Sequence, residues 1–417
     1  MPSVEILAVG TELLLGNLLD TNTSYIARAC AAAGIDVRAS GAVGDNRERI
    51  AAAVRASLSR ADGVVTTGGL GPTTDDLTKE SVCDALGLGV ELYEPALAQM
   101  EAIFARVGRP MRENNRKQAE LPRGSVPLPN PNGTAPGFIA FSRDEKFVAC
   151  MPGVPREMKP MLHEQVVPWM RERLGAHETI VTRTIHTIGI GESEIDHRIG
   201  DLFRSAQNPK IAVLAHDFRV DVKIMAKSAS PEQAEAAIAP LAGEIESRLH
   251  GNVFGTGDET PASAALAALR ARGELLAIAE SCTGGRIAAA LTAVAGASES
   301  FVGGVVAYAN EVKVSQLGVS LASLERFGAV SEEIAGEMAA GARDRFGAGV
   351  ALATTGIAGP GGGTAQKPVG LVWIALAGDG FVESRRFQLE GDRETVASRA
   401  TTIALGLLWR YGAGYAP

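Results

Sequence analysis

Short apolar runs that break into glycine-rich turns recur along this chain, and their spacing predicts mostly parallel sheets with helices between the strands. Val4 to Val9 runs into Gly10, Gly63 to Thr67 runs into Gly68-Gly69, and Phe147 to Met151 runs into Pro152-Gly153. Between the first two, Asn22 to Ala33 has helical spacing and stops at Gly34. Pro127 to Gly137, rich in Pro, Asn and Gly, is expected to be an ordered loop. From about residue 175 the pattern changes. Thr179 to Ile188 alternates, Glu192 to Phe203 is helical, Ile211 to Ala215 and Val220 to Ala226 read as strands, and Pro231 to Leu249 is a helix interrupted by Pro240. That β-α-β-β-α order predicts a small α+β module of KH-like type, although Gly189-Ile190-Gly191-Glu192 does not make the G-x-x-G clamp of nucleic-acid-binding versions.

Gly255 to Thr260 marks a boundary, because Thr260 followed by Pro261 is a strong helix start. Beyond it the parallel pattern resumes: Leu275 to Ala279, Val302 to Tyr308 and Val350 to Ala353 are apolar strands, and Arg393 to Trp409 is a closing helix. The expected division is therefore 1–172, 173–256 and 257–417, as α/β, small α+β and α/β domains, which suits a length of 417 residues.

Composition then narrows the class. A net charge of -8 without basic runs makes nucleic acid an improbable partner. Cys30, Cys83, Cys150 and Cys282 are far apart and have no zinc-like spacing, so they read as buried thiols of a reducing cytoplasm. No stretch approaches about 18 uncharged apolar residues, so a soluble cytoplasmic protein is expected.

Candidate chemistry sits in the turns. In Ala279-Glu280-Ser281-Cys282-Thr283-Gly284-Gly285, Ser281 stands where a strand turns toward a helix. A serine hydroxyl needs a neighbouring base to become a nucleophile. The last histidine is His250, and from residue 251 onward there are only Lys313 and Lys367 beside eleven arginines, so a base from this region is a lysine or a carboxylate. Lys313 follows the Val302 to Tyr308 strand and is the candidate partner, since a desolvated lysine loses its proton readily. The competing reading is that Ser281 caps the following helix. Thr354-Thr355-Gly356 leads into a glycine-rich loop, Gly359 to Gly363, able to cradle a phosphate or an oxyanion. In the N-terminal domain Gly68-Gly69-Leu70-Gly71 precedes Thr73-Thr74-Asp75-Asp76, with Glu12 and Glu157 in nearby loops. Two carboxylates beside an anion-binding turn suggest a divalent cation between them and a phosphate. Alternatively, they favour a helix N-terminus through its dipole.

In combination these segments, with Gly10-Thr11-Glu12-Leu13-Leu14, Met151 to Glu157, and Tyr308 to Lys313, resemble the competence/damage-inducible protein A (CinA) family over nearly the whole chain. The resemblance implies a molybdopterin-binding (MoaB/MogA-like) N-terminal fold with metal-dependent ADP-ribose pyrophosphatase activity. It also implies a C-terminal nicotinamide mononucleotide (NMN) amidohydrolase. The implied catalytic pair is Ser281 and Lys313, with Tyr308, Ser300, Thr355, Gly356 and Arg399 lining the nucleotide pocket. Glu12, Gly68, Gly69, Gly71, Asp75, Asp76 and Glu157 would form the N-terminal site, the last three acids holding a divalent metal. Deamidation is expected to need no cofactor. A homodimer is the expected assembly. The main alternative is a molybdopterin-binding or competence accessory protein without N-terminal catalysis.

Overall fold

The computed structural model describes residues 2–176, 178–216 and 218–416. Its contacts divide into two compact units, residues 1–181 with 226–236 and residues 182–225 with 237–417.

In the N-terminal domain, strands β1 (Ser3–Val9), β2 (Asp36–Val43) and β3 (Gly63–Thr67) are parallel neighbours. Short strands β4 (Val90–Leu92) and β5 (Glu120–Pro122) pair separately. Strands β6 (Val126–Leu128), β7 (Gly137–Phe141) and β8 (Phe147–Met151) complete a sheet of order β2-β1-β3-β8-β7-β6. The segment expected to be a loop from Pro127 thus begins as an edge strand, antiparallel to β7. A proline is tolerated there because an edge strand leaves half of its N–H groups unpaired. β1, β3 and β8 are uniformly buried, as apolar runs covered on both faces must be. Being parallel, they bring the turns after Val9, Thr67 and Met151 to one sheet edge.

The middle module contains β9 (Thr179–Ile188), β10 (Lys210–His216), β11 (Arg219–Ser228) and β12 (Val253–Thr256), in the order β10-β11-β9-β12. Its helices span Glu192–Ser205 and Pro231–Arg248, the latter with Pro240 inside. Pattern reading predicted all of these except β12.

The C-terminal domain has β13 (Leu276–Glu280), β14 (Phe301–Val306), β15 (Val350–Gly356), β16 (Leu371–Gly378) and β17 (Phe381–Gln388), in the order β14-β13-β15-β16-β17. β13 lies between β14 and β15 and is parallel to both. The start of the domain is fixed by Thr260, whose hydroxyl accepts from Ser263 N at 3.1 Å ahead of the helix Pro261–Arg272. That helix and the C-terminal helix Arg393–Gly412 cover one face of the sheet, while Glu332–Phe346 packs with the alanine-rich opposite face. Among the described residues no helix is long and apolar enough to cross a membrane.

Candidate active site

The topology delivers Ser281 to the end of the central strand β13, flanked by the ends of β14 and β15. Both neighbours hold the turn: Ala307 N donates to Glu280 O at 2.7 Å, and Ser281 N donates to Thr354 O at 3.0 Å. The turn itself is organised by Glu280, whose carboxylate is 1% exposed. Its Oε2 accepts from Gly285 N at 3.0 Å and Ile287 N at 3.1 Å, and its Oε1 accepts from Ala288 N at 2.8 Å. Those are the first free N–H groups of the helix Arg286–Thr292, whose dipole also favours a negative charge. Deleting the Glu280 carboxylate would strand three donors, at about 1–3 kcal/mol each. Gly285, at φ 91, gives the chain the left-handed corner needed to enter the helix. Ser281 is therefore not the helix cap: Glu280 satisfies those donors, and no side chain of the N-cap residue does.

Lys313 lies on the helix Asn310–Leu317 and is 1% exposed. Its Nζ is 2.9 Å from Ala307 O, 3.1 Å from Tyr308 O and 3.3 Å from Ser281 Oγ. Burial pushes its pKa below the usual lysine value. A neutral amine has two hydrogens and one lone pair. In that form the two carbonyls would take the hydrogens, leaving the lone pair for the serine hydroxyl. Lys367 donates to Phe327 O instead and takes no part.

Cys282, next to the serine, packs against the core and also borders the pocket beside Ser281, but burial pushes its thiol up to about 12, so it is not a thiolate at neutral pH. Around the pair is a cavity of about 260 Å³. Tyr308, Thr355, Gly356 and the loop Gly359 to Gly362 contribute to its wall. Thr355 is fixed by donating to Ala329 O at 2.7 Å.

Two predicted wall residues lie elsewhere. Ser300 precedes β14, and Leu276 N donates to Ser300 O at the opening of β13. Parallel strands set their beginnings and ends at opposite sheet edges, so Ser300 is about 20 Å from the serine turn along the strand direction. Arg399 donates to Glu390 O at 2.6 Å and lies over the Phe218 ring. The arginine in the cavity is Arg393, six residues earlier on the same helix and so on a different face. It donates to Gly359 O at 2.7 Å and to the Tyr308 hydroxyl, leaving a guanidinium beside the glycine loop. Sequence reading missed Arg393 and Glu280. The helix start at Asp392, which accepts from Thr395 N at 2.8 Å, was the available signal for Arg393.

In the N-terminal domain a cavity of about 610 Å³ opens at the carboxyl ends of β1, β3 and β8, and Glu12, Gly68, Gly69, Gly71, Asp75, Asp76 and Glu157 all border it. Gly68 is required: at φ 106, a Cβ there would stand 2.2 Å from Val9 O. The acid pair lies in the turn before the helix Thr78–Leu86 and not in its first turn. Asp76 Oδ2 accepts from Thr73 N at 2.9 Å and from the Thr73 hydroxyl. Asp75 is held below the usual carboxylate range, first by a hydrogen bond with Thr73 and further by Lys117. Lys117 Nζ donates to Asp76 O at 2.6 Å, so a protein cation already stands beside the acids. Glu157 Oε2 accepts from Asn130 Nδ2 at 2.8 Å. Among the described residues no three His, Cys, Asp or Glu side chains converge on one point. Asp75, Asp76 and Glu157 thus border a common cavity without forming a preformed metal cage, because Thr73 and Asn130 already engage two of them.

A three-domain α/β protein with a buried Ser–Lys pair at one sheet edge and a glycine-acid pocket at another is the class these sites define. Profile matches agree in order: "Probable molybdopterin binding domain" over residues 5–172, "Damage-inducible protein CinA KH domain" over 182–255, and "CinA C-terminal domain" over 258–411. A competence-damage inducible protein of Symbiobacterium thermophilum is 44% identical over 421 residues, covering 99% of both chains. One of Clostridioides difficile is 41% identical over 411 residues, covering 97% of this chain and 98% of its own. A solved CinA superfamily structure from Escherichia coli is 40% identical, with a TM-score of 0.35, covering 36% of this chain and 90% of its own. The chain belongs to the CinA family of competence-damage inducible proteins.

Proposed function

We propose that the C-terminal domain is an NMN amidohydrolase acting through Ser281 and Lys313. The observation that carries this reading is the Lys313 amine, buried, depressed in pKa, and 3.3 Å from Ser281 Oγ with two carbonyls on its other bonds. Lys313 takes the serine proton as Oγ attacks the carboxamide carbon. The resulting ammonium returns a proton to the amide nitrogen, the C–N bond breaks, and ammonia leaves an acyl-serine. Water, deprotonated by the same amine, then releases nicotinate mononucleotide and restores the serine. Arg393 and the glycine loop supply positive charge and open backbone for the 5′-phosphate, and the Tyr308 ring offers a face for the pyridine. Ammonia release from NMN by the purified chain tests the reading, and a chain that binds but never deamidates NMN would overturn it. Arg393→Ala is expected to raise KM for NMN about 10- to 100-fold, the loss of a hydrogen-bonded charge, with a smaller change in kcat. Steady-state kinetics with NMN and with nicotinamide riboside, which lacks the phosphate, check this: the substitution should cost the phosphorylated substrate much more than the riboside, which loses only the support Arg393 gives Tyr308.

For the N-terminal domain we propose cleavage of the ADP-ribose pyrophosphate to AMP and ribose 5-phosphate. The glycine turn at the strand ends supports recognition of a pyrophosphate. A divalent cation would be held by at most one or two of the carboxylates together with the substrate's own phosphates. Asp76→Ala is expected to lower ADP-ribose cleavage more than Asp75→Ala does, since Asp76 also fixes the Thr73 turn, and neither should alter deamidation. AMP release measured with and without chelator decides the matter. Cleavage that survives chelator or both substitutions would leave this domain as a pterin- or nucleotide-binding module.

A further inference from the structure

Within the second unit lies a cavity of about 960 Å³, larger than the Ser281 pocket and built from different residues. Along the C-terminal helix, Arg393 borders the Ser281 pocket and Arg410 borders this one; seventeen residues of helix separate them by about 25 Å. The walls come from the middle module and from β17 and the C-terminal helix.

The lining combines two chemistries. Arg198, Arg219, Arg385 and Arg410 face it, against only Glu192 and Glu194 among the described lining residues, with His216 also present. Glu194 pairs with Arg198 at 2.7 Å. Arg219 lies 3.4 Å from Asp221, but that carboxylate also engages His186 at 2.7 Å and His216 at 3.0 Å. Arg219 Nε is buried without a hydrogen-bond partner. Arg410 donates to two carbonyls, Gly251 O and Ala416 O. Arg385 pairs with Glu383 at 3.0 Å at an exposed position. The charge left least balanced on these described walls is therefore that of Arg219 and Arg410. The other chemistry is apolar: Ile188, Ile403, Leu407, Phe387 and Phe218 also line the cavity. Phe218 is 43% exposed at φ 59, a left-handed conformation that a bulky residue avoids unless something fixes it. Arg399 lies 5.9 Å from its ring centroid.

We propose that this cavity is a second nucleotide site, taking a nucleoside phosphate with its base against Phe218 and Phe387 and its phosphate toward Arg219, Arg385 and Arg410. Its volume falls in the range of small-ligand sites, about 300–1,000 Å³, and one wall belongs to the C-terminal domain, which suits a mononucleotide better than a polymer strand. The opposite reading, a bare anion site, would use the arginines and ignore the rings.

The test is calorimetric titration of the full-length chain with AMP, with inorganic phosphate, and with a single-stranded oligonucleotide at physiological salt. Wild type, Arg385→Glu, Arg198→Glu and Phe387→Leu are compared after thermal melts confirm folding. Arg385 is exposed and Phe387→Leu keeps an apolar side chain, so both variants should remain folded. AMP is expected to bind at least tenfold more tightly than phosphate. Arg385→Glu and Phe387→Leu should each weaken that binding about tenfold or remove one binding event, with deamidation in the absence of AMP unchanged. AMP binding unaffected by both substitutions, phosphate binding as tightly as AMP, or a preference for the oligonucleotide would each overturn the assignment.

Discussion

Ser281→Ala is expected to reduce NMN deamidation by at least about 10³-fold, while Cys282→Ala keeps most of it. Chemical intuition favours the thiol, which is the more nucleophilic group at equal ionisation. Position decides otherwise. Cys282 also borders the pocket, but burial pushes its thiol up to about 12, and its side-chain hydrogen-bond partner is Thr354, which is not a base. Ser281 Oγ instead faces Lys313 Nζ. Ammonia release under single-turnover conditions separates loss of chemistry from loss of binding. Activity lost in Cys282→Ala and retained in Ser281→Ala would sink the Ser–Lys mechanism.

Lys313→Arg should be as damaging as Lys313→Ala, each lowering kcat by about 10²–10⁴-fold, the usual contribution of a general base. Arginine keeps the charge and could still reach the carbonyls of Ala307 and Tyr308, but it cannot give up its proton. In the wild type kcat/KM should rise with pH and level off at an apparent pKa below that of free lysine, because only the neutral amine is competent. Stability carries the same sign. The unfolded chain keeps this lysine protonated to higher pH than the native one does, so the Lys313 contribution to stability rises with pH between the lowered native pKa and the unfolded value. A Lys313→Met variant should lose that part of the pH dependence. Near-normal turnover in Lys313→Arg, or a flat pH profile, would reduce Lys313 to an electrostatic contact.

Much of the fold was legible because local rules agreed with the global one. The strand-glycine-helix rhythm around Val9, Thr67 and Ala279 is written in short range, as is the Thr260-Pro261 helix start, and the structure shows all of them. The start of the loop at Pro127 was misread because its prolines suggest a turn, and only pairing with β7 makes Val126–Leu128 a strand. The candidate nucleophile was legible from its place where a strand turns toward a helix, and its base through elimination: with no histidine after His250, few bases remained.

Which residues share a pocket was less legible. Ser300 is near β14 in sequence, yet strand direction sends it to the wrong sheet edge. Arg399 and Arg393 are both exposed-looking arginines of one helix, and only the rotation of that helix assigns one to the Ser281 cavity and the other to the Phe218 ring. The acid pair suggested a metal cage because spacing cannot reveal that Thr73 and Asn130 already hold two of the acids, or that Lys117 comes from 41 residues away to stand beside Asp76. Sequence alone determined most of the elements and the chemically capable side chains, since propensity, periodicity and side-chain type act over a few residues. The tertiary structure decided which of those side chains meet, which are desolvated, and so which carry a shifted pKa. Burial and long-range contacts are properties of the packed chain, and no local pattern encodes them.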